Sequence, residues 1–482
     1  MSRHSVEKLG GTSIAATDLA IANVLVGTRQ GDDLYNRIFI VSAFAGMTDL
    51  LLDNKKTGAP GVYARFVADE ADARWEDGMI AVAEAMRAKN AELFCGKARA
   101  EADAFVDARM AAMSACLTDL DRLRGYGHFQ LAEPFATIRE MLAGLGEAHS
   151  AFTTALKLRE AGVQARFVDL TGWQEPGPGS LDARIEAAFA DIDLARELPI
   201  VTGYARCEGG MVSRYARGYS EFTFSRIVVL TGAREAIIHK EFHLSTADPR
   251  LVGTNRARKI GHTNYDVADQ LANLGMEAIH PMAGRGLRQA GIPLRVRNTF
   301  DPADSGTLIE GDYVSETPRV EIITGVRNIF ALQLFAQDMV GEKGYDVAVL
   351  DILSRHRAWI ISKSSNANTI THYLSASAGT MRAVIADLEA RYPAACVSSR
   401  SMAMVSAIGS DLSEPGVVMR SLAALRDADV DVIALQHQMR NVDIQFIVEQ
   451  DSFDRAIVAL HEALICTRDA AQGGQTDLAK AA

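Results

Sequence analysis

The stretch VEKLGGTS, Val6 to Ser13, holds the first residues whose types and spacing suggest chemistry. Lys8 stands two residues before Gly10 and Gly11, where a strand-like run gives way to the helix-like IAATDLAIANVLV. Two glycines let backbone N–H groups approach a phosphate, a helix start adds positive partial charge, and the lysine supplies a full one. Alone, the same pattern serves an ordinary tight turn. No GxxxxGK[ST] loop and no GxGxxG fingerprint occurs, so neither common nucleotide signature supports the phosphate reading. A second group, HKEFH from His239 to His243, raises a metal site with two histidines on one face of a strand. Without a third ligand or an HExxH pattern, they read instead as residues at the mouth of a cleft. The five cysteines are widely spaced with no CxxC pair, which indicates reduced thiols and neither a disulfide framework nor a zinc site. Trp173 and Trp359 read as packing residues.

The elements that must position these groups follow from periodicity. RIFIVSAFAG (Arg37–Gly46), ARFVDLTGW (Ala165–Trp173), LPIVTGYA (Leu198–Ala205), EAIIH (Glu235–His239) and IPLRVRN (Ile292–Asn298) are short apolar strands alternating with helical patterns. That alternation predicts an α/β layered domain with a largely parallel sheet, whose ligands sit beyond the carboxyl ends of the strands. Gly10, Gly11, Ser42 and Gly203 fall there. Residues 62–125, rich in Ala, Glu, Asp and Arg, predict a helical lobe. The polar connector DPADSGTLIEGDYVSETP (Asp301–Pro318) predicts a boundary, and two units of similar strand–helix–strand–strand–helix layout follow it. The expected domains are therefore 1–310, 319–394 and 400–466, with 467–482 a disordered tail. A chain of 482 residues can bury such cores, and its net charge of −11 argues against nucleic acid or anionic membrane as partner. The N-terminus lacks the apolar core of a signal peptide and no run of 18 apolar residues occurs, so a cytoplasmic protein is expected.

Read in order, EKLGGTSI, IVSAFAGMTDLLL, GLGEAHSAF, PIVTGYARCEGG, YARGYSEFT, LSTADPRLV and LGMEAIHP resemble the aspartokinases. Those enzymes have the amino-acid kinase fold, a three-layer α/β/α arrangement, and the two C-terminal units resemble their tandem ACT domains. The resemblance covers about residues 4–466. It implies transfer of the γ-phosphoryl group of ATP to the β-carboxylate of L-aspartate, with Mg²⁺, and a homo-oligomer formed through the ACT domains. Lys8 matches the family's phosphate-neutralising lysine, and Gly10, Gly11 and Ser13 its glycine loop. Ser42 and Thr48 match positions facing the nucleotide phosphates and the amino acid. Glu147 matches the carboxylate that receives the α-ammonium, and Arg217, assisted by Ser220, the arginine that grips the α-carboxylate. Asp248, Pro249 and Arg250 match the nucleotide-side D-P-R. The chemistry asks for such an inventory in any case. A carboxylate attacking a triphosphate gathers anions, so catalysis must come from positioning and charge neutralisation, and an α-amino acid is well held by one carboxylate and one forked guanidinium.

Departures accompany the resemblance. The family's G-R-G-G-S-D reads Ala216-Arg217-Gly218-Tyr219-Ser220-Glu221, keeping the catalytic acid as glutamate and turning a glycine into Tyr219. T-D-V-D-G reads HKEFH, and G-A-K reads Gly275-Met276-Glu277, which replaces a phosphate-contacting lysine by a carboxylate; Lys240 is the candidate to fill that vacancy. The loop holding Asp338, Met339, Gly344, Tyr345 and Asp346 sits where effector loops sit, and Ile361 stands where lysine-sensing relatives are acidic. These departures suggest the specialised aspartokinases of ectoine synthesis, with weak or absent inhibition by lysine. Two alternatives stay open: a degenerate kinase that binds amino acids and regulates without catalysis, and a kinase of the same fold for another small carboxylate.

Overall fold

The structure is a computed structural model that describes residues 4–54, 57–68, 74–174, 179–215, 218–276 and 278–467. The expected tail, from residue 468 onward, lies outside them. The chain forms two compact units, Met1–His243 with Ile279–Gly311 and Leu244–Ala278 with Asp312–Ala482.

The first unit is built on a sheet whose central strand is β1 (Ser5–Leu9). It lies between β2 (Arg37–Val41) and β5 (Glu235–Lys240), parallel to both. Outside β2 come β4 (Leu198–Thr202) and then β3 (Ala165–Val168); outside β5 comes Leu294–Asn298, then the antiparallel strand Thr307–Glu310. β1, β2 and β4 are buried along their whole length, which is why Ile38–Val41 and Leu198–Val201 read as unbroken apolar runs, whereas β1 buries the polar Ser5, Glu7 and Lys8 as well. Leu9, Phe39, Val41, Ile200 and Leu198 form one core with Ile14 and Ala151 of the covering helices. The expected helical lobe is present as Val62–Ala68, Trp75–Leu93 and Gly96–Gly125. Trp75–Leu93 buries Met79, Val82, Met86, Asn90 and Leu93, a helical spacing that presents one face to its neighbours. A further helix of 29 residues, Ala132–Glu160, packs on β3 and β4 and is buried over nearly all of its second half.

The second unit holds a six-stranded antiparallel sheet. Its layout repeats: strand Ile322–Phe335, helix Tyr345–Arg355, strands Trp359–Ser365 and Thr369–Ser375, helix Ala378–Arg391; then strand Cys396–Ile408, helix Val417–Asp427, strands Ala434–His437 and Asp443–Val448, helix Phe453–His461. The two repeats do not form separate cores. Their first strands, of 14 and 13 residues, run the length of the sheet and pair with each other. The second half of Ile322–Phe335 joins Leu374, Val349, Ile352 and Leu388, whereas its Ile323 joins Val405, Phe446, Leu425 and Ile457 of the other repeat. Each core thus takes one half of each long strand. The segment Leu244–Ala278, expected with the catalytic part, clusters in this unit. Thr246 O accepts from the Ile323 N–H at 2.8 Å, and Ala247 and Val252 lie in the core with Phe446. Among the described residues no helix is long and apolar enough to cross a membrane. The five cysteines are free.

Candidate active site

Lys8 is the penultimate residue of β1, flanked by Ile40 and Ile238. A central strand leaves its side chain little solvent, and Nζ sits 3.4 Å from Glu221 Oε1 with both side chains nearly buried. Glu221 lies in the first turn of the helix Tyr219–Leu230, and its other oxygen accepts from the His280 N–H. Burial by itself would raise the Glu221 pKa. The charges of Lys8 and Lys240 and the His280 amide overcome it and hold the carboxyl below its ordinary value. A fixed anion therefore keeps Lys8 at the strand end, and the effect of Lys240, the last residue of β5, shows that its charge reaches the same place.

Past Leu9 the chain enters the turn. At Gly11 a Cβ would stand 2.6 Å from Ala43 O, so only glycine fits, whereas the space beside Gly10 is open. Gly10 O accepts from the Ile14 N–H, which starts a short helix. Ser13 turns inward: it is fully buried and accepts from Thr299 Oγ1 at 3.0 Å. Ser42 lies beside the end of β1, its N–H donating to Leu9 O at 3.1 Å and its carbonyl accepting from Ser150.

Glu147 comes from the buried half of Ala132–Glu160. Its Oε1 accepts from Ser220 Oγ at 2.8 Å, and Oε2 is buried with no well-formed hydrogen bond among the described residues. Burial pushes its pKa up to about 7, against the lowering influence of the Ser220 hydroxyl, the Lys8 charge, the Tyr204 amide and the Tyr219 phenol. The carboxylate reaches this position because residue 203 is glycine; a Cβ there would lie 2.8 Å from Oε2. Tyr219 closes the site. It is buried, meets Tyr204 edge-on at 5.7 Å, and has its phenol pushed far up by burial and by the Glu147 charge, while Thr48 interacts with it in the opposite sense. A buried carboxyl beside a lysine at a glycine turn can accept an ammonium at one end and leave the lysine to face an anion at the other.

Residues 5–298 match the model of the amino acid kinase family. Over 463 residues the chain is 48% identical to aspartate kinase Ask_Ect of Stutzerimonas stutzeri, covering 96% of this chain and 97% of that one. The chain belongs to the aspartokinase family. An aspartokinase of Geobacillus stearothermophilus is 28% identical over 349 residues, which cover 69% of this chain and 83% of the other. The solved E. coli aspartokinase III in complex with aspartate and ADP has the same fold, with TM-score 0.72 at 21% identity over 96% of this chain and 100% of that one. Its complex with lysine and aspartate matches with TM-score 0.72 at 20% identity, over 96% of this chain and 99% of that one. The architecture is accordingly the amino-acid kinase fold with ACT-type regulatory units.

Among the aspartokinase positions read from the sequence, the fold gathers Lys8, Glu147, Ser220 and Glu221 in the first unit, with Thr48 at Tyr219 and Lys240 within charge range. Arg217 and Glu277 lie outside the described residues. Asp248 and Arg250 belong to the second unit, where Asp248 caps the short helix Pro249–Val252 and pairs with Arg250 at 2.7 Å. The HKEFH histidines do not share a strand face, because β5 ends at Lys240. His239 bonds inward to Glu7 at 2.8 Å, while His243 meets Asp301 at 3.1 Å and Asp304 at 3.9 Å. Trp359 is 60% exposed and is not a packing residue; Trp173 stacks on Arg109.

In the second unit, Asp338 and Met339 form a short turn, and Gly344, at φ +104, starts the helix that carries Tyr345 and Asp346. Tyr345 stacks on Tyr392 at 4.7 Å. Ile361 is buried in an apolar cluster with Leu271, Ile322 and Tyr373.

Sequence reasoning missed Glu140. This buried carboxylate accepts from the N–H groups of Met211, Val212 and Ser213 and from the hydroxyls of Ser213 and Tyr204. It pins the start of the short helix Met211–Tyr215. Its one sequence signal is an acid seven residues, about two helical turns, before Glu147.

Proposed function

We propose that the protein is an aspartate kinase, converting ATP and L-aspartate to 4-phospho-L-aspartate and ADP. The observation that carries this is the pairing of the buried Glu147 carboxyl, held by Ser220, with Lys8 at the carboxyl end of the central strand. In this reading Glu147, oriented by Ser220, receives the substrate α-ammonium, and Arg217 takes the α-carboxylate. The β-carboxylate is then free to attack. One of its oxygens bonds to the γ-phosphorus as the bond to the β–γ bridging oxygen breaks, and that electron pair leaves on ADP. Lys8, held by Glu221, and the amides at Gly10 and Gly11 offset the negative charge gathered there, with Lys240 adding a second cation. Ser42 and Thr48 face the phosphates and the amino acid. Mg²⁺, when bound with ATP, supplies further charge neutralisation on the phosphate oxygens.

The same reading places the enzyme in the cytoplasm as a homo-oligomer joined through its ACT units, with an amino-acid effector near Asp338, Met339, Gly344, Tyr345 and Asp346. The likeness to Ask_Ect supports a role in ectoine synthesis. The altered HKEFH and G-M-E segments favour a second reading, an amino-acid-binding regulator without turnover. Aspartate-dependent ADP release with hydroxamate trapping of the acyl phosphate separates the two. The kinase reading expects both signals from the wild type and their loss in Lys8→Ala; no ADP release with ATP, Mg²⁺ and aspartate would leave the regulator.

A further inference from the structure

In the first unit a cavity of about 510 Å³ opens between the helix Gly96–Gly125, the helix Ala132–Glu160 and the loops that follow β3 and β4. None of Lys8, Glu147, Ser220 or Glu221 lines it. Its wall includes Ala112, Met141 and Trp173 on the apolar side; its charged groups are Arg109, Arg206 and Glu140, whose carboxylate is already taken by Tyr204, Met211, Val212 and Ser213. Arg109 is held firmly. Nη2 donates to Asp169 at 2.5 Å, and the guanidinium lies 4.6 Å from the Trp173 ring centre and 5.0 Å from that of Phe105. Its Nη1 is cut off from water and has no acceptor among the described residues. Buried guanidinium donors are normally met, because an unmet one in low dielectric is unfavourable. An unmet N–H in a wall that also holds the Arg206 guanidinium calls for an anionic oxygen. The indole, Met141 and Ala112 call for an apolar body behind it, and the volume is that of a small-molecule site. A phosphate would find one unmet donor and much apolar wall, so the lining suits a carboxylate better.

The cavity also touches a residue that leads to the substrate pocket. Tyr204 lines it, donates to Glu140 at 3.0 Å and meets Tyr219 edge-on, next in sequence to the serine that holds Glu147. We propose that this cavity is a second small-molecule site, taking a compact carboxylate with an apolar body between Arg109, Arg206 and Trp173, and that its occupancy is felt at the substrate pocket through Tyr204. The second clause rests on the aspartate kinase reading; the binding itself does not.

Calorimetry on the full chain with benzoate as probe tests it. Saturable binding of benzoate is expected, with benzamide and inorganic phosphate weaker by at least about tenfold. Arg109→Met should weaken benzoate by a similar factor. Ala112→Trp, which fills the cavity and leaves the Arg109–Asp169 pair in place, should abolish binding. Aspartate affinity, measured by the same method, should change at least about twofold when benzoate is bound. No saturable benzoate binding up to about 10 mM, equal binding of benzamide, or binding that survives both substitutions would overturn the site. Benzoate binding that leaves aspartate affinity unmoved would overturn the route through Tyr204. If aspartate binds but is never phosphorylated, the kinase reading fails while both of these results still stand.

Discussion

Replacing Glu147 by glutamine isolates the group on which substrate recognition depends. Burial moves this carboxyl from its ordinary 4.5 to about 7, a difference worth about 3 kcal/mol between its two protonation states. The native protein binds this proton more tightly than the unfolded chain. Between those two pH values it therefore holds more protons, and its stability falls as pH rises. The contribution is complete below 4.5 and lost as pH passes through about 7. Glutamine has the shape of the protonated form and nothing to ionise. Glu147→Gln should match the wild type in the acid limb and exceed its stability at about pH 8 by up to about 3 kcal/mol. Urea unfolding of both proteins across this range gives the difference curve directly. Substrate binding should respond in the opposite sense. An ammonium needs the ionised carboxylate, so the wild-type KM for aspartate should rise as pH falls below about 7, by up to tenfold for each pH unit. The variant should lose roughly 10- to 100-fold in kcat/KM for aspartate with little change in KM for ATP. A flat difference curve, or a variant that binds aspartate as the wild type does, would refute both the buried-carboxylate argument and the ammonium assignment.

Lys8→Met should lower turnover by about 10²-fold or more and lower stability by about 3 kcal/mol, because Glu221 is left buried without its nearest cation; unchanged turnover would remove the central assignment. Lys240→Met should raise KM for ATP or lower kcat, and steady-state kinetics indistinguishable from wild type would exclude it from the phosphate site. Gly203→Ala brings a methyl group to 2.8 Å from Glu147 Oε2 and 2.9 Å from Ser220 Cβ, so KM for aspartate should rise by about tenfold or more with KM for ATP unmoved. Lysine should inhibit weakly or not at all, since Ile361 is an apolar core residue with no carboxylate to offer; strong inhibition at sub-millimolar lysine would contradict this.

Much of this architecture was written in short-range patterns. The apolar runs Ile38–Val41 and Leu198–Val201, short and rich in β-branched residues, read as strands covered on both faces. The helical spacing in Trp75–Leu93 and the repeated layout after Asp312 were equally plain. Lys8 with Gly10 and Gly11 was legible because a strand that turns straight into a helix constrains residue type locally. Gly11 bears this out through its close approach to Ala43. The shared strand face of the HKEFH histidines failed for a local reason too, since the strand stops between them and His243 groups instead with Asp301 and Asp304.

What the sequence could not determine is what each of these groups meets. Lys8 and Glu221 are 213 residues apart, and Glu147 and Ser220 73 apart. No periodicity records such a pairing, so the lowered Glu221 pKa and the raised one of Glu147 exist only in the folded chain. Tyr219 was visible only as a lost glycine; tertiary packing made it the buried neighbour of Glu147 and Tyr204. The two ACT-type repeats were countable from the sequence, but the sharing of each long strand between both cores was decided by pairing across the sheet. Local propensity and pattern set the elements because they act over a few residues. Burial, charge and hydrogen bonding set the site, because they depend on whichever distant residues the fold brings within a few ångströms.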